Sequence, residues 1–225
     1  MAKLVSLIPA GGIGARLGRR TPKQFLALRG GSILAATVVH FARHPAIGAV
    51  VVAAPAAHVN RAGRALRRVG RRGVITVVAG GQTRQESVSL ALQAAPDDAE
   101  LVIVHDAVRP FITRRLIDAV VGAARHSGAA ICALPVSETV KRVRGDEVET
   151  TIDRTGLWTV QTPQVFRAAL LREAHEKARR DGVVGTDDAA LVERLGHPVK
   201  VVRGLEANVK ITTPEDLRRA RRMAI

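Results

Sequence analysis

Cysteine is nearly absent from this chain, and so are aromatic side chains. Among 225 residues there is one Cys, no Tyr, one Trp and four Phe. A single Cys132 excludes an intrachain disulfide and suits a reducing compartment. It sits in an apolar run, Ala129-Ala-Ile-Cys-Ala-Leu-Pro135, where packing is its expected role. Aromatics at 2% leave little with which to build a base-stacking surface. No apolar run is long enough to span a bilayer, and the amino terminus carries no basic-then-apolar secretion signal, so a cytoplasmic location and no membrane partner are expected. No Gly-x-Ser-x-Gly elbow is present, and His40 and His44, four apart, lack the glutamate of a zinc-protease helix. Covalent catalysis is not indicated.

Acid is also in short supply. Thirty-five Lys and Arg face twenty Asp and Glu, a formal charge of +15. With so few aromatics, this charge points away from specific nucleic-acid binding and towards a positive field that gathers polyanionic small molecules. The basic run Arg64–Arg72 closes a predicted helix, where cations complement the helix dipole. Hydrophobic residues at 47% suffice for one α/β domain over 1–225.

What is present begins at once. An apolar strand, Leu4–Pro9, runs into Ala10-Gly-Gly-Ile-Gly-Ala-Arg16, and Thr21-Pro-Lys-Gln24 follows. Glycines let a backbone approach a phosphate, and Arg16 and Lys23 would offset its charge. The Walker Lys-Ser/Thr pair is missing. The dinucleotide fingerprint fails too, because position 17 is Leu and the second strand ends Ala53-Ala-Pro55 without an acid for the ribose. A nucleoside-triphosphate loop with its own cations remains, against the plain alternative of a strand-to-helix turn.

Apolar, non-alternating runs predict strands near 3–9, 48–54, 73–79, 100–105, 129–135 and 198–203. Helices are expected near 32–43, 56–69, 83–95, 113–125, 166–180, 187–195 and 214–223, with caps at Ser32, Thr113 and Thr213. The alternation reads as a three-layer α/β fold with a mostly parallel sheet. Residues 137–157 break the rhythm: polar, charged, with a turn at Arg144-Gly-Asp-Glu147. They are expected to form a hairpin arm that packs on a second subunit.

Ligands of open α/β sheets lie beyond the carboxyl ends of the strands. Those ends carry Gly80-Gly-Gln82 with Ser87 in the next helix, then His105-Asp-Ala-Val-Arg109, then Thr139 and Lys141, and further on Thr162, Thr186-Asp-Asp188 and Asn208-Val-Lys210. The second glycine turn would suit a base, a ribose or a phosphate. Asp106 would bind a metal or a hydroxyl, and Arg109 an anion. Each alone is as readily a cap or a turn former; their shared edge favours function.

These residues resemble a known family. The run Pro9–Arg16, Pro22-Lys-Gln24, Val104–Pro110, Asp153–Trp158, Gln161–Gln164, Thr186-Asp187 and Asn208-Val-Lys210 are similar to the 2-C-methyl-D-erythritol 4-phosphate cytidylyltransferases, nearly end to end. The resemblance implies a Rossmann-like nucleotidyltransferase fold, a homodimer with a swapped hairpin arm, and Mg²⁺ dependence. It implies transfer of a cytidylyl group from CTP to methylerythritol phosphate in non-mevalonate isoprenoid synthesis, with release of pyrophosphate. By it, Ala10, Gly11, Gly12, Gly81, Gln82, Ser87, Asp106 and Ala107 would form the CTP and metal environment. Arg16 and Lys23 would stabilise the transition state. Arg109, Thr139, Thr162 and Thr186 would hold the sugar phosphate. Lys210 would aim the attacking phosphate, together with Arg154 reaching in from the partner's arm. Glu138 stands where the family is expected to have Asp. A sister enzyme for another polyol phosphate, such as ribitol 5-phosphate, would share these motifs, and a non-catalytic nucleotide- or nucleic-acid-binding module is the rival of a different class.

Overall fold

A computed structural model describes residues 3–11, 21–28, 30–70 and 73–223. Gly12 and Arg16 lie outside the described residues. A seven-stranded sheet forms the centre. Its strands are β1 (Leu4–Pro9), β4 (Ile47–Ala54), β5 (Ile75–Ala79), β6 (Leu101–Val104), β7 (Ala129–Pro135), β10 (Trp158–Arg167) and β11 (Lys200–Arg203), in the order β11-β7-β10-β6-β1-β4-β5. All neighbours run parallel except β10, which is antiparallel to both β6 and β7. A two-residue pair, β2 (Ala27–Leu28) and β3 (Gly31–Ser32), precedes the first helix.

Helices cover both faces. Those on one side are α1 (Ile33–Ala42), α2 (Val59–Leu66) and α4 (Arg114–Ser127); on the other lie α3 (Arg84–Gln93), α5 (Ala168–Arg180) and α6 (Asp188–Glu193). The last helix, α7 (Pro214–Arg222), packs on a smaller cluster with Leu28 and Ile33. Strand β1 shows why its sequence does not alternate. Leu4 and Ile8 point into the first apolar layer, Val5 and Leu7 into the second, so both faces must be apolar. The three expected caps are formed: the side chains of Ser32, Thr113 and Thr213 accept from the N–H groups of Ala35, Leu116 and Asp216. Cys132 is buried in the core, where loss of water pushes its thiol up to about 12. It is an inert packing group.

Two sequence expectations are corrected. No core strand is expected between 135 and 198, yet Thr162-Pro163 lies in the middle of β10, and helix α5 begins at Ala168 rather than near 166. Polar Gln161 and Gln164 and a proline hide this central strand. The register shifts between Val160 and Gln164, so Pro163 sits in a bulge where no ladder N–H is required. The buried glutamines are paired: Gln164 Nε2 donates to Asp187 Oδ2 (2.6 Å) and Gln161 Nε2 to the Leu205 carbonyl (2.9 Å).

The expected hairpin is present as β8 (Val140–Arg144) and β9 (Glu147–Ile152), which pair only with each other and are exposed along almost their whole length.

Candidate active site

Strand order reverses on either side of β1, with β4 and β5 on one side and β6 on the other. Such a switch point splays the loops at the strands' carboxyl ends and opens a crevice. A cleft of about 720 Å³ lies there. Ala10 and Gly11 line it from β1, Gly81 and Gln82 from β5, Asp106 and Ala107 from β6, with Lys23 and Lys210 alongside. Because β10 runs antiparallel, its entering residues reach this same edge, and Thr162 Oγ1 accepts the N–H of Asp106 (3.0 Å).

The walls are held by buried polar side chains. Gln24 Nε2 donates to the Ala10 carbonyl (2.5 Å), and Thr37 Oγ1 donates to the Ala107 carbonyl (2.9 Å). Ser87, fully buried, binds the Thr83 carbonyl (2.9 Å) and accepts from the N–H of Gly81 (3.2 Å). A Cβ on Gly11 would lie 2.8 Å from Ser87 Oγ, so the first loop can lie against the second only without a side chain there. The second glycine turn has its N–H groups committed: Gly80 to the Ala54 carbonyl, Gly81 to Ser87, and Gln82 to Glu86 Oε2. As arranged it offers carbonyl oxygens rather than donors. That suits a base or ribose and disfavours the phosphate role left open by the sequence.

Asp106 is the focus of charge. Its Oδ1 takes Arg84 Nε (3.1 Å), and its Oδ2 takes Lys210 Nζ (2.9 Å) and Arg109 Nε (3.4 Å). Burial opposes its ionisation, but the Coulombic pull of Arg84, Lys210 and Arg109 overrides burial and holds the carboxyl well below the usual range. Arg84 has the mirror situation: burial favours its neutral form, and Asp188 and Asp106 overcome that to raise its pKa. Asp188 is buried and remains ionised against burial through His175 and Arg84. Beneath Asp106, His105 is fully buried, and desolvation pushes it down to about 4.

The remaining expected residues divide. Arg109 is buried behind the cleft, donating through Nη1 to the Asn208 carbonyl (2.8 Å). The Thr162 hydroxyl is turned inward, to His105 and Asp106, so within this chain it positions Asp106 and is not presented to the cleft. Thr139, Arg154 and Thr186 are exposed and do not line their own chain's cleft; Arg154 donates to the Ser137 carbonyl at the base of the arm. Arg84 was missed, and Gln24 and Asp188 were named within their motifs without a role. Arg84 carried a signal: a cation at the first position of a helix opposes the dipole and asks for a reason.

A model of the 2-C-methyl-D-erythritol 4-phosphate cytidylyltransferase family matches residues 4–224. The chain belongs to that family. The family enzyme of Salinibacter ruber is 46% identical over 210 residues, covering 93% of this chain and 88% of that one. That of Syntrophus aciditrophicus is 41% identical over 220 residues, covering 96% and 93%. The crystal structure of the Thermus thermophilus enzyme superposes with a TM-score of 0.81 at 40% identity over 98% of both chains. Membership accounts for the cations at the cleft: cytidylyltransferases are nucleotidyltransferases, whose reactants are polyanions.

Proposed function

We propose that the chain transfers the cytidylyl group of CTP to 2-C-methyl-D-erythritol 4-phosphate, giving 4-diphosphocytidyl-2-C-methyl-D-erythritol and pyrophosphate in isoprenoid precursor synthesis. The observation that carries this reading is Asp106 held ionised among Arg84, Arg109 and Lys210 at the floor of a cleft, in a chain that matches the family throughout. A phosphate oxygen of the acceptor attacks the α-phosphorus of CTP. The α–β bridging P–O bond breaks, and its electron pair leaves with pyrophosphate. No protein nucleophile is needed, so positioning and charge neutralisation supply the rate. Lys23, and Arg16 by resemblance, act where charge builds on the α-phosphate and leaving group. Lys210 guides the attacking phosphate. The carbonyl-rich turn at Gly80–Gly81 accepts the exocyclic amine of the base.

Among the described residues no group of three metal-binding side chains exists. Asp106 and Glu86 are the acids lining the cleft, and Glu86 Oε2 is engaged by the Gln82 N–H. One ionised carboxylate fits Mg²⁺ that arrives with phosphate oxygens and waters, the usual manner for this ion, and does not fit a resident metal cage. Asp106 would hold it, yielding Lys210 to the phosphates; Mg²⁺ would neutralise triphosphate charge.

The working unit in this reading is a cytoplasmic homodimer of single catalytic domains. Supporting the dimer are the exposed Val143, Val148, Leu157, Trp158 and Val160 on and beside the arm. Thr139 and Arg154, which do not line their own cleft, then serve the neighbouring one.

The test is pyrophosphate release across the four common nucleoside triphosphates and a panel of polyol phosphates. Turnover is expected with CTP and methylerythritol phosphate. Preference for ribitol 5-phosphate would transfer the chain to a sister activity, and salt-sensitive DNA binding without turnover would abolish the enzymatic reading.

A further inference from the structure

Arg84 stands between two acids. Its Nε donates to Asp106 Oδ1 in the cleft (3.1 Å), and its Nη1 donates to Asp188 Oδ2 behind it (2.7 Å). Asp188 is 1% exposed, and its other oxygen accepts from His175 Nε2 (3.0 Å). Three helices therefore meet through one hydrogen-bonded chain: α5 through His175, α6 through Asp188 and α3 through Arg84. Lys210 differs from Arg84. It reaches Asp106 on a flexible stem with 40% of its side chain exposed, and can follow a phosphate away. Arg84 cannot leave without stranding a buried carboxylate, a costly state.

We propose that Arg84 is a positioning residue, tethered by Asp188 so that its guanidinium aims Asp106 into the cleft and does not itself bind the triphosphate. This deepens the cytidylyl-transfer reading and rests on it for the reaction used as readout. Asp188 divides the Arg84 charge. With that charge removed from Asp188, the guanidinium is released towards the most negative object within reach, which is bound CTP. Nucleotide affinity then holds or improves while the reacting geometry is lost.

Two variants, Asp188→Asn and Arg84→Lys, test this through CTP affinity by calorimetry without Mg²⁺, so that the metal held at Asp106 does not enter the comparison, and through kcat and KM by pyrophosphate release, and Tm. The asparagine keeps the shape of the tether without its charge; the lysine keeps the charge but reaches only one acid. Turnover is expected to fall about 10- to 100-fold in both, as for a small misplacement of reacting groups. CTP affinity is expected to stay within about twofold of wild type or to tighten, since the other cations of the cleft are untouched. Should Asp188→Asn not fold, Arg84→Lys decides by the same criteria. Loss of CTP affinity in step with turnover would make Arg84 a direct ligand and overturn the proposal, as would unchanged kcat. Wild-type chain that binds CTP but leaves methylerythritol phosphate unreacted defeats the choice of acceptor alone, and the CTP affinities of the variants then decide the role of Arg84.

Discussion

His105 is a neutral imidazole by geometry. Its Nε2 faces the Arg109 carbonyl (3.0 Å), which only accepts, so that nitrogen carries the proton. Its Nδ1 therefore accepts from the Thr162 hydroxyl (3.1 Å), whose oxygen takes the Asp106 N–H. Protonation of Nδ1 would break this line, and burial holds the pKa near 4 against an ordinary 6.5. Because the folded value is the lower one, the unfolded chain binds the proton first as pH falls. The stability that His105 contributes is complete above about pH 6.5 and drains away as pH approaches 4. Between pH 7 and 4.5 the loss is about 2 kcal/mol. Burial lowers His40 too, which adds in the same direction. Urea midpoints measured across this range should fall in the wild type and fall less in His105→Gln; equal slopes would remove His105 from the account. The place of Asp106 at the cleft was legible in the sequence because it follows the end of β6, whereas Lys210, seven residues beyond β11, was marked by the family resemblance. The tether of Arg84 was not, since Asp188 lies 104 residues away and reads locally as helix-start acid.

At the scale of elements, strands β1, β4 and β7 were legible because they are largely buried on both faces and, Ser6 aside, carry no polar side chain. Strand β10 was not, because its place in the sheet is set by glutamines and a bulge whose partners come from distant loops. The arm was legible as an exception, polar where the core is apolar. It has two apolar cross-strand pairs, Val140 opposite Ile152 and Val143 opposite Val148, and the second is exposed on both sides. A two-stranded hairpin is marginal alone and needs a surface to rest on. If that surface is the other subunit, each site combines Lys23 of one chain with Arg154 of the other. Lys23→Ala should lower turnover by about 10²- to 10³-fold with the fold intact, and Arg154→Ala should also be deeply impaired. Mixed and exchanged, the two inactive chains form heterodimers with one intact site, so about a quarter of wild-type activity should return. No recovery, with heterodimers verified by native mass spectrometry, would mean that every site is built from a single chain.

The whole molecule carries +15 while its cleft holds only a few cations, so most of the charge lies elsewhere. Much of it sits on solvated helix faces, as at Arg179 and Arg180 of α5 and Arg218, Arg219, Arg221 and Arg222 of α7. Surface charges of this kind add little to stability and oppose compaction by mutual repulsion. Their expected effect is at long range, where they would raise the local concentration of polyanions and speed encounter, whereas Lys23 and Lys210 line the cleft and in the proposed reading act at contact. The two contributions respond differently to salt. From about 0.1 M to about 1 M KCl the screening length shrinks from about 10 Å to about 3 Å, which removes the distant field but leaves contact pairs in a partly desolvated cleft largely intact. We expect kcat/KM for CTP to drop about tenfold over that range and kcat to change by less than about twofold. If kcat fell as steeply as kcat/KM, salt would be acting inside the cleft. A flat kcat/KM would mean that the distant arginines do not reach the substrate, and the excess charge would then need another partner to explain it.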